Sequence, residues 1–205
     1  MQKDKYLDDI EAIKDIMDRS TKFLSLSGLS GVLAGTFALV AAYLAYQVVY
    51  DGQDYFSYRI ANTSGDTILS LIIIGGVTIV LSLVSGIWLT TRKARQLGQS
   101  IWDRQAQRMI GHLAVPLIVG GLVCLILLYY GLVGLVAPLT LIFYGLALEN
   151  ASTFAHRSMR YLGWIEILLG LTAMVFIGRG LVFWAIGFGV LHIFYGIAMY
   201  MNDRK

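Results

Sequence analysis

The chain has 205 residues, of which 57% are hydrophobic and only 14% charged, with a formal net charge of +3. A soluble domain of this size must keep a polar exterior and cannot bury so much apolar surface in one core, so lipid is the expected solvent. A single cysteine, Cys124, lies in an apolar run and excludes an intrachain disulfide or a cysteine-based metal cluster.

Residues 1–22 are densely charged and hold no short apolar run with a small-residue cleavage site, so no cleavable signal is expected there. Within them, residues 5–18 carry Tyr6, Ile10, Ile13 and Met17 at helical spacing. Asp8, Asp9, Glu11, Lys14, Asp15 and Asp18 fall on the other face. This predicts an amphipathic cytoplasmic helix, lying on the membrane surface or capping the bundle. Its acid-rich polar face suits the basic loop 92–108 better than anionic lipid.

Residues 23–50 and 67–91 contain no charged side chain, and each suffices for one crossing, which needs about 20 apolar residues. Residues 109–148 form a run of twice that length and must turn back; Tyr129, Tyr130, Gly131 and Pro138 mark the turn. Residues 161–202 form a second double-length run, turning at Gly178, Arg179 and Gly180. The prediction is an all-α polytopic membrane protein. Its transmembrane domain, 23–203, has six helices in three tandem antiparallel hairpins, about 23–91, 109–149 and 160–201. Fourteen of the 16 Lys and Arg residues fall on one side of this topology, leaving only Arg59 and Arg179 on the other. By the positive-inside rule both termini are cytoplasmic. The scattered basic residues predict no nucleic-acid partner.

The last two hairpins echo each other. Gly121-Leu122, Gly131-Leu132-Val133 and Ile142-Phe143-Tyr144-Gly145 recur as Gly170-Leu171, Gly180-Leu181-Val182 and Ile193-Phe194-Tyr195-Gly196. The offset is 49 at the turn and 51 at the end, so the last helix has two extra residues. Gly35 and Ser85-Gly86-Ile87 mark a fainter first copy. Helices in lipid associate through small residues that permit close approach. Ser27, Gly31 and Gly35 form such a face on the first helix, and Gly86, Gly145 and Gly196 are expected to pack helices in the later ones. Three glycine-marked hairpins resemble six-span membrane proteins of the HdeD/DUF308 type. The segment from Ile16 to Gly31 resembles uncharacterised membrane proteins of Bacteroidota. The resemblances imply a bacterial inner membrane and carry no established enzymatic activity.

Glu166 is the only carboxylate, and His192 the only histidine, well inside a predicted span. Each lies thirteen residues from Arg179, so at about 1.5 Å per residue both sit ~20 Å from the turn, at one depth on adjacent helices. In-span ionisable groups face the bundle interior, a cavity or a partner. The pair therefore reads either as a buried hydrogen-bonded pin between helices or as a proton-linked or ligand-binding site. Gly28-Leu29-Ser30-Gly31 matches the Gly-x-Ser-Gly signature of rhomboid proteases, with His192 as the base. Here, however, the serine opens the first span rather than the fourth, and His192 is not followed by the family's glycine pair. Phosphate loops, zinc signatures and nucleophile elbows do not occur, and no metal site or cofactor is expected.

The reading is a non-enzymatic accessory, scaffold or regulatory membrane component. Its partners are the bilayer and a protein, or a second copy, contacted through residues 5–18 and 92–108. A small transporter or channel using Glu166 and His192 is the alternative, and an intramembrane serine hydrolase the remote one. In-span polar residues able to line a path are few: Thr36, Thr78, Ser82, Thr140 and Thr172.

Overall fold

The computed structural model describes residues 27–49, 65–96, 102, 104–155 and 157–202. The predicted helix 5–18 lies outside them. All the described secondary structure is helical, with no strand among the described residues, as lipid demands of chains that must satisfy their backbone groups internally.

In chain order the helices are α1 (Gly28–Val49), α2 (Gly65–Gln96), α3 (Arg104–Tyr129), α4 (Val136–Ala151), α5 (Arg157–Val175), α6 (Gly180–Trp184) and α7 (His192–Asn202). A π-helical stretch, Ala185–Leu191, joins α6 to α7, and the three make one sixth span from Gly180. Five of the six segments are long and apolar enough to cross a membrane. The exception is α5, whose 19 residues include Arg157, Arg160 and Glu166.

Both expected turns form at glycine. At the end of α3, Gly131 has φ 72°. There Leu132 N donates to Leu127 O at 2.8 Å and Gly131 N to Leu128 O at 3.0 Å, the paired bonds of a Schellman stop. Gly178, with φ 97°, turns the chain after α5. Pro138 is not part of the turn, as its sequence position suggested. It lies in the first turn of α4, where a missing N–H costs nothing. The basic loop is also shorter than expected. Arg92, Lys93 and Arg95 ride on α2, and Arg104 and Arg108 on α3. Cations in the last turn of α2 favour its extension past the apolar span.

Two helix pairs are built on the same glycine pattern. On the α4–α5 pair, a Cβ at Gly145 would lie 2.5 Å from the Gly163 carbonyl oxygen, and one at Gly170 would lie 2.6 Å from Ile142 Cγ1. Between the sixth span and α1, a Cβ at Gly196 would lie 2.5 Å from the Gly28 carbonyl oxygen, and one at Gly35 would lie 2.7 Å from Ile193 Cγ1. Gly145 and Ile142 thus do on α4 what Gly196 and Ile193 do on the sixth span. Gly31 belongs to the same seam: its Cβ would lie 3.1 Å from Gly196 Cα. Ser27 accepts the Ser30 hydroxyl on its carbonyl at 2.5 Å. Gly86 departs from expectation. A Cβ there would meet nothing within 4 Å among the described residues, where α2 packs chiefly on α1.

The helices fall into two packed groups. One holds α2, α1 and the sixth span; the other holds α3, α4 and α5. Within the second, Arg160 Nε donates to Ser152 Oγ at 3.1 Å, and Asn150 Nδ2 donates to the His112 carbonyl at 2.9 Å. Between the groups the packing is sparser, and α5 touches its sequence neighbour, the sixth span, less than it touches α4.

Candidate functional site

The seam between the two groups holds the polar centre of the molecule. Glu166, from the middle of α5, is fully buried, and His192, the first residue of α7, is 7% exposed. His192 Nδ1 lies 3.5 Å from Glu166 Oε1. The two residues, placed at one depth by counting from Arg179, therefore meet across the seam.

His192 is held at both ring nitrogens. Nδ1 lies 2.9 Å from the Gly187 carbonyl oxygen. A carbonyl only accepts, so Nδ1 carries a proton and donates. Nε2 lies 2.7 Å from the Tyr144 hydroxyl of α4. It accepts the phenolic proton when the ring is neutral and donates when the ring is charged. The imidazole thus bridges a carbonyl of its own span and a hydroxyl from the opposite group. Phe188 completes its enclosure, with ring centroids 5.8 Å from His192 and 4.9 Å from Tyr144.

The π-helical stretch builds this arrangement. Its wider turns bring Gly187, five residues before His192, under the imidazole. Interruptions of this kind concentrate at functional sites. Gly187 is also the floor against which the carboxyl rests: a Cβ there would lie 2.5 Å from both Glu166 Oε2 and Leu141 Cδ2.

Glu166 itself is not satisfied. Neither Oε1 nor Oε2 has a hydrogen-bond partner among the described residues, although both are buried. The Tyr195 hydroxyl is likewise buried with no hydrogen-bond partner among the described residues. A buried carboxyl that receives no donor costs roughly 1–3 kcal/mol or more. A group kept only to pin two helices would be expected to have its oxygens paired.

Glycine 187 therefore makes a direct test of the site. Gly187→Ala is expected to destabilise the protein by about 1–3 kcal/mol through overpacking against the carboxyl. Part of that cost should vanish in the double variant Glu166→Ala/Gly187→Ala, with a coupling of at least ~1 kcal/mol in reversible unfolding titrations. Additive losses would show that the carboxyl does not rest on Gly187.

Other candidates do not converge here. The hydroxyls of Thr36, Thr78, Thr140 and Thr172 each donate to a carbonyl of their own helix, at 2.7–2.9 Å. They are locally satisfied. Ser85 likewise donates to the Ser82 carbonyl at 3.1 Å. The hydrolase arrangement is not assembled: Ser30 donates to Ser27, while both nitrogens of His192 are engaged by Tyr144 and Gly187. Among the described residues no group of three or more His, Cys, Asp or Glu side chains gathers as a metal site would require. Tyr144 is the member that sequence reasoning missed. Its trace was present, since Tyr144-Gly145 is the echo of Tyr195-Gly196. No known protein family matches the chain, and no characterised protein or solved structure matches it significantly.

Proposed function

We propose that this chain is a small proton-linked membrane carrier whose exchange site is Glu166, with His192 and Tyr144 as its hydrogen-bonded partners. The observation that carries the reading is the fully buried Glu166 carboxyl with both oxygens unpartnered, beside an imidazole at 3.5 Å. Ionisable groups at such depth are costly and characteristically mark proton or substrate pathways. The site's place between two packed helix groups supports the same reading, since carriers move such groups against each other around a fixed midplane site. The dearth of other polar side chains in the spans argues for a carrier with one occluded site rather than an open pore.

In this reading the protein is a multi-pass component of a bacterial inner membrane. The placement of its Lys and Arg residues supports cytoplasmic termini. An accessory role, with residues 5–18 and 92–108 as contact surface, is compatible with carriage but does not explain the orphan carboxyl.

Reconstituted in liposomes under an imposed pH gradient, the wild-type protein is expected to dissipate the gradient. Glu166→Gln and His192→Ala should each slow that flux by about tenfold or more, a tenfold change corresponding to ~1.4 kcal/mol at the exchange step. Equal flux in the wild type and both folded variants would refute the assignment.

A further inference from the structure

We infer that the Glu166 site takes a small lipophilic ammonium ion, an alkyl or aryl amine in its protonated form, in exchange for a proton. This deepens the carrier reading above and rests on it. Three observations define the ligand's chemistry. First, the site is short of donors: both carboxyl oxygens of Glu166 are buried without a hydrogen bond among the described residues, and the adjacent His192 Nδ1, 3.5 Å from Oε1, already donates to the Gly187 carbonyl. An R–NH3+ group brings three N–H donors and the opposite charge, and so supplies what the carboxylate lacks. Anions and neutral acceptors such as ketones supply neither.

Second, the surroundings are aromatic rather than polar. Tyr144 and Phe188 lie with ring centroids 4.9 Å apart, and Trp184 lies 5.0 Å from Phe188. Aromatic faces attract organic cations and their apolar substituents, whereas a hydrated inorganic cation gains little from them. The Gly187 carbonyl oxygen is already taken by the imidazole. Among the described residues no group of three or more His, Cys, Asp or Glu side chains gathers here, whereas a divalent cation takes about six or more oxygen ligands.

Third, the location permits entry. The carboxyl lies on the sparsely packed seam, with Tyr144 and Glu166 on one group and His192, Phe188 and Trp184 on the other. Parting the groups would open the carboxyl and the rings together. The exchange balances without a further reactant. A protonated Glu166 releases one proton as one ammonium binds its carboxylate, and no covalent bond in the ligand forms or breaks. The titratable groups facing the carboxyl are Tyr144 from α4 and His192 from the sixth span, with Tyr195 one turn beyond.

The test uses the full chain in proteoliposomes, with benzylammonium as the probe and benzyl alcohol as its neutral counterpart. A proton gradient, acid inside, is expected to drive benzylammonium uptake above that of protein-free vesicles, with no such gain for benzyl alcohol. Glu166→Gln should reduce the gain by about tenfold or more, and Glu166→Asp, which keeps the charge, should retain part of it. Phe188→Ala should raise the benzylammonium KM about threefold or more with a smaller change in kcat, a split that general unfolding would not produce. Gradient dissipation that needs Glu166 but carries no benzylammonium would overturn the ligand assignment and leave the proton carrier standing. Absence of any Glu166-dependent flux would remove both.

Discussion

A disulfide between residues 137 and 180 is expected to stop transport completely and reversibly. Ala137 opens α4 in one helix group, and Gly180 opens α6 in the other. A Cβ at Gly180 would lie 3.3 Å from Ala137 Cβ and 3.2 Å from Pro138 Cδ. That separation is close to the ~3.5–4.5 Å range of bridged cysteines, so little backbone movement is needed for the bond to form. In a Cys124→Ser background, Ala137→Cys/Gly180→Cys should oxidise readily and join the groups at one end of the seam. If the groups part during exchange, flux falls to the level of empty liposomes and returns on addition of dithiothreitol. A cross-linked protein that still dissipates a pH gradient would show that the groups do not move against each other there. The unmodified chain offers no competing thiol apart from Cys124, which is buried in α3.

Gly196→Leu is expected to have the largest effect on stability. Most overpacked sites relieve strain by shifting a flexible side chain, but at Gly196 the obstacles are backbone atoms. A Cβ there would stand 2.5 Å from the Gly28 oxygen and 2.6 Å from the Val32 nitrogen. The larger side chain fits only if α7 and α1 separate, which forfeits the seam that Gly28, Gly31, Gly35 and Gly189 also form. A cost above ~3 kcal/mol follows, at or beyond the upper end of ordinary overpacking. Gly86→Leu provides the contrast. It faces no described neighbour, and its cost should stay near 0.5 kcal/mol or less. Unfolding in mixed micelles compares the two. Equal losses would contradict the pairing of the sixth span with α1.

Much of the architecture was legible in the sequence because lipid imposes a simple rule: uncharged runs of sufficient length become helices, and glycines in them become turns or contacts. The meeting of Glu166 and His192 was legible for a related reason. Helical rise converts residue count into depth, and both residues stand thirteen positions from Arg179. What counting cannot reveal is rotation and neighbour choice. Tyr144 was overlooked because its partner lies on the sixth span, in the other helix group, rather than within its own hairpin. Gly86 was expected to pack because its local pattern matches Gly145 and Gly196. A pattern along one helix does not say whether another helix arrives to use it. Gly163 and Gly187 required the folded chain, since each is defined by what it touches.

The π-helical stretch from Ala185 to Leu191 has a consequence for how such a site can arise. The last hairpin carries two residues more than its sibling between Gly180 and Gly196. In an uninterrupted α-helix, two added residues would swing everything beyond them by about 200°, at roughly 100° each. Gly196 would then leave α1, and the seam would be lost. The widened turns absorb the surplus locally, so the distal part of the span keeps its bearing. The accommodated surplus is also what sets Gly187 beneath the imidazole and against the carboxyl. A local widening of this kind lets a span present a backbone carbonyl to a side chain while the residues beyond it keep their packing on a neighbouring helix.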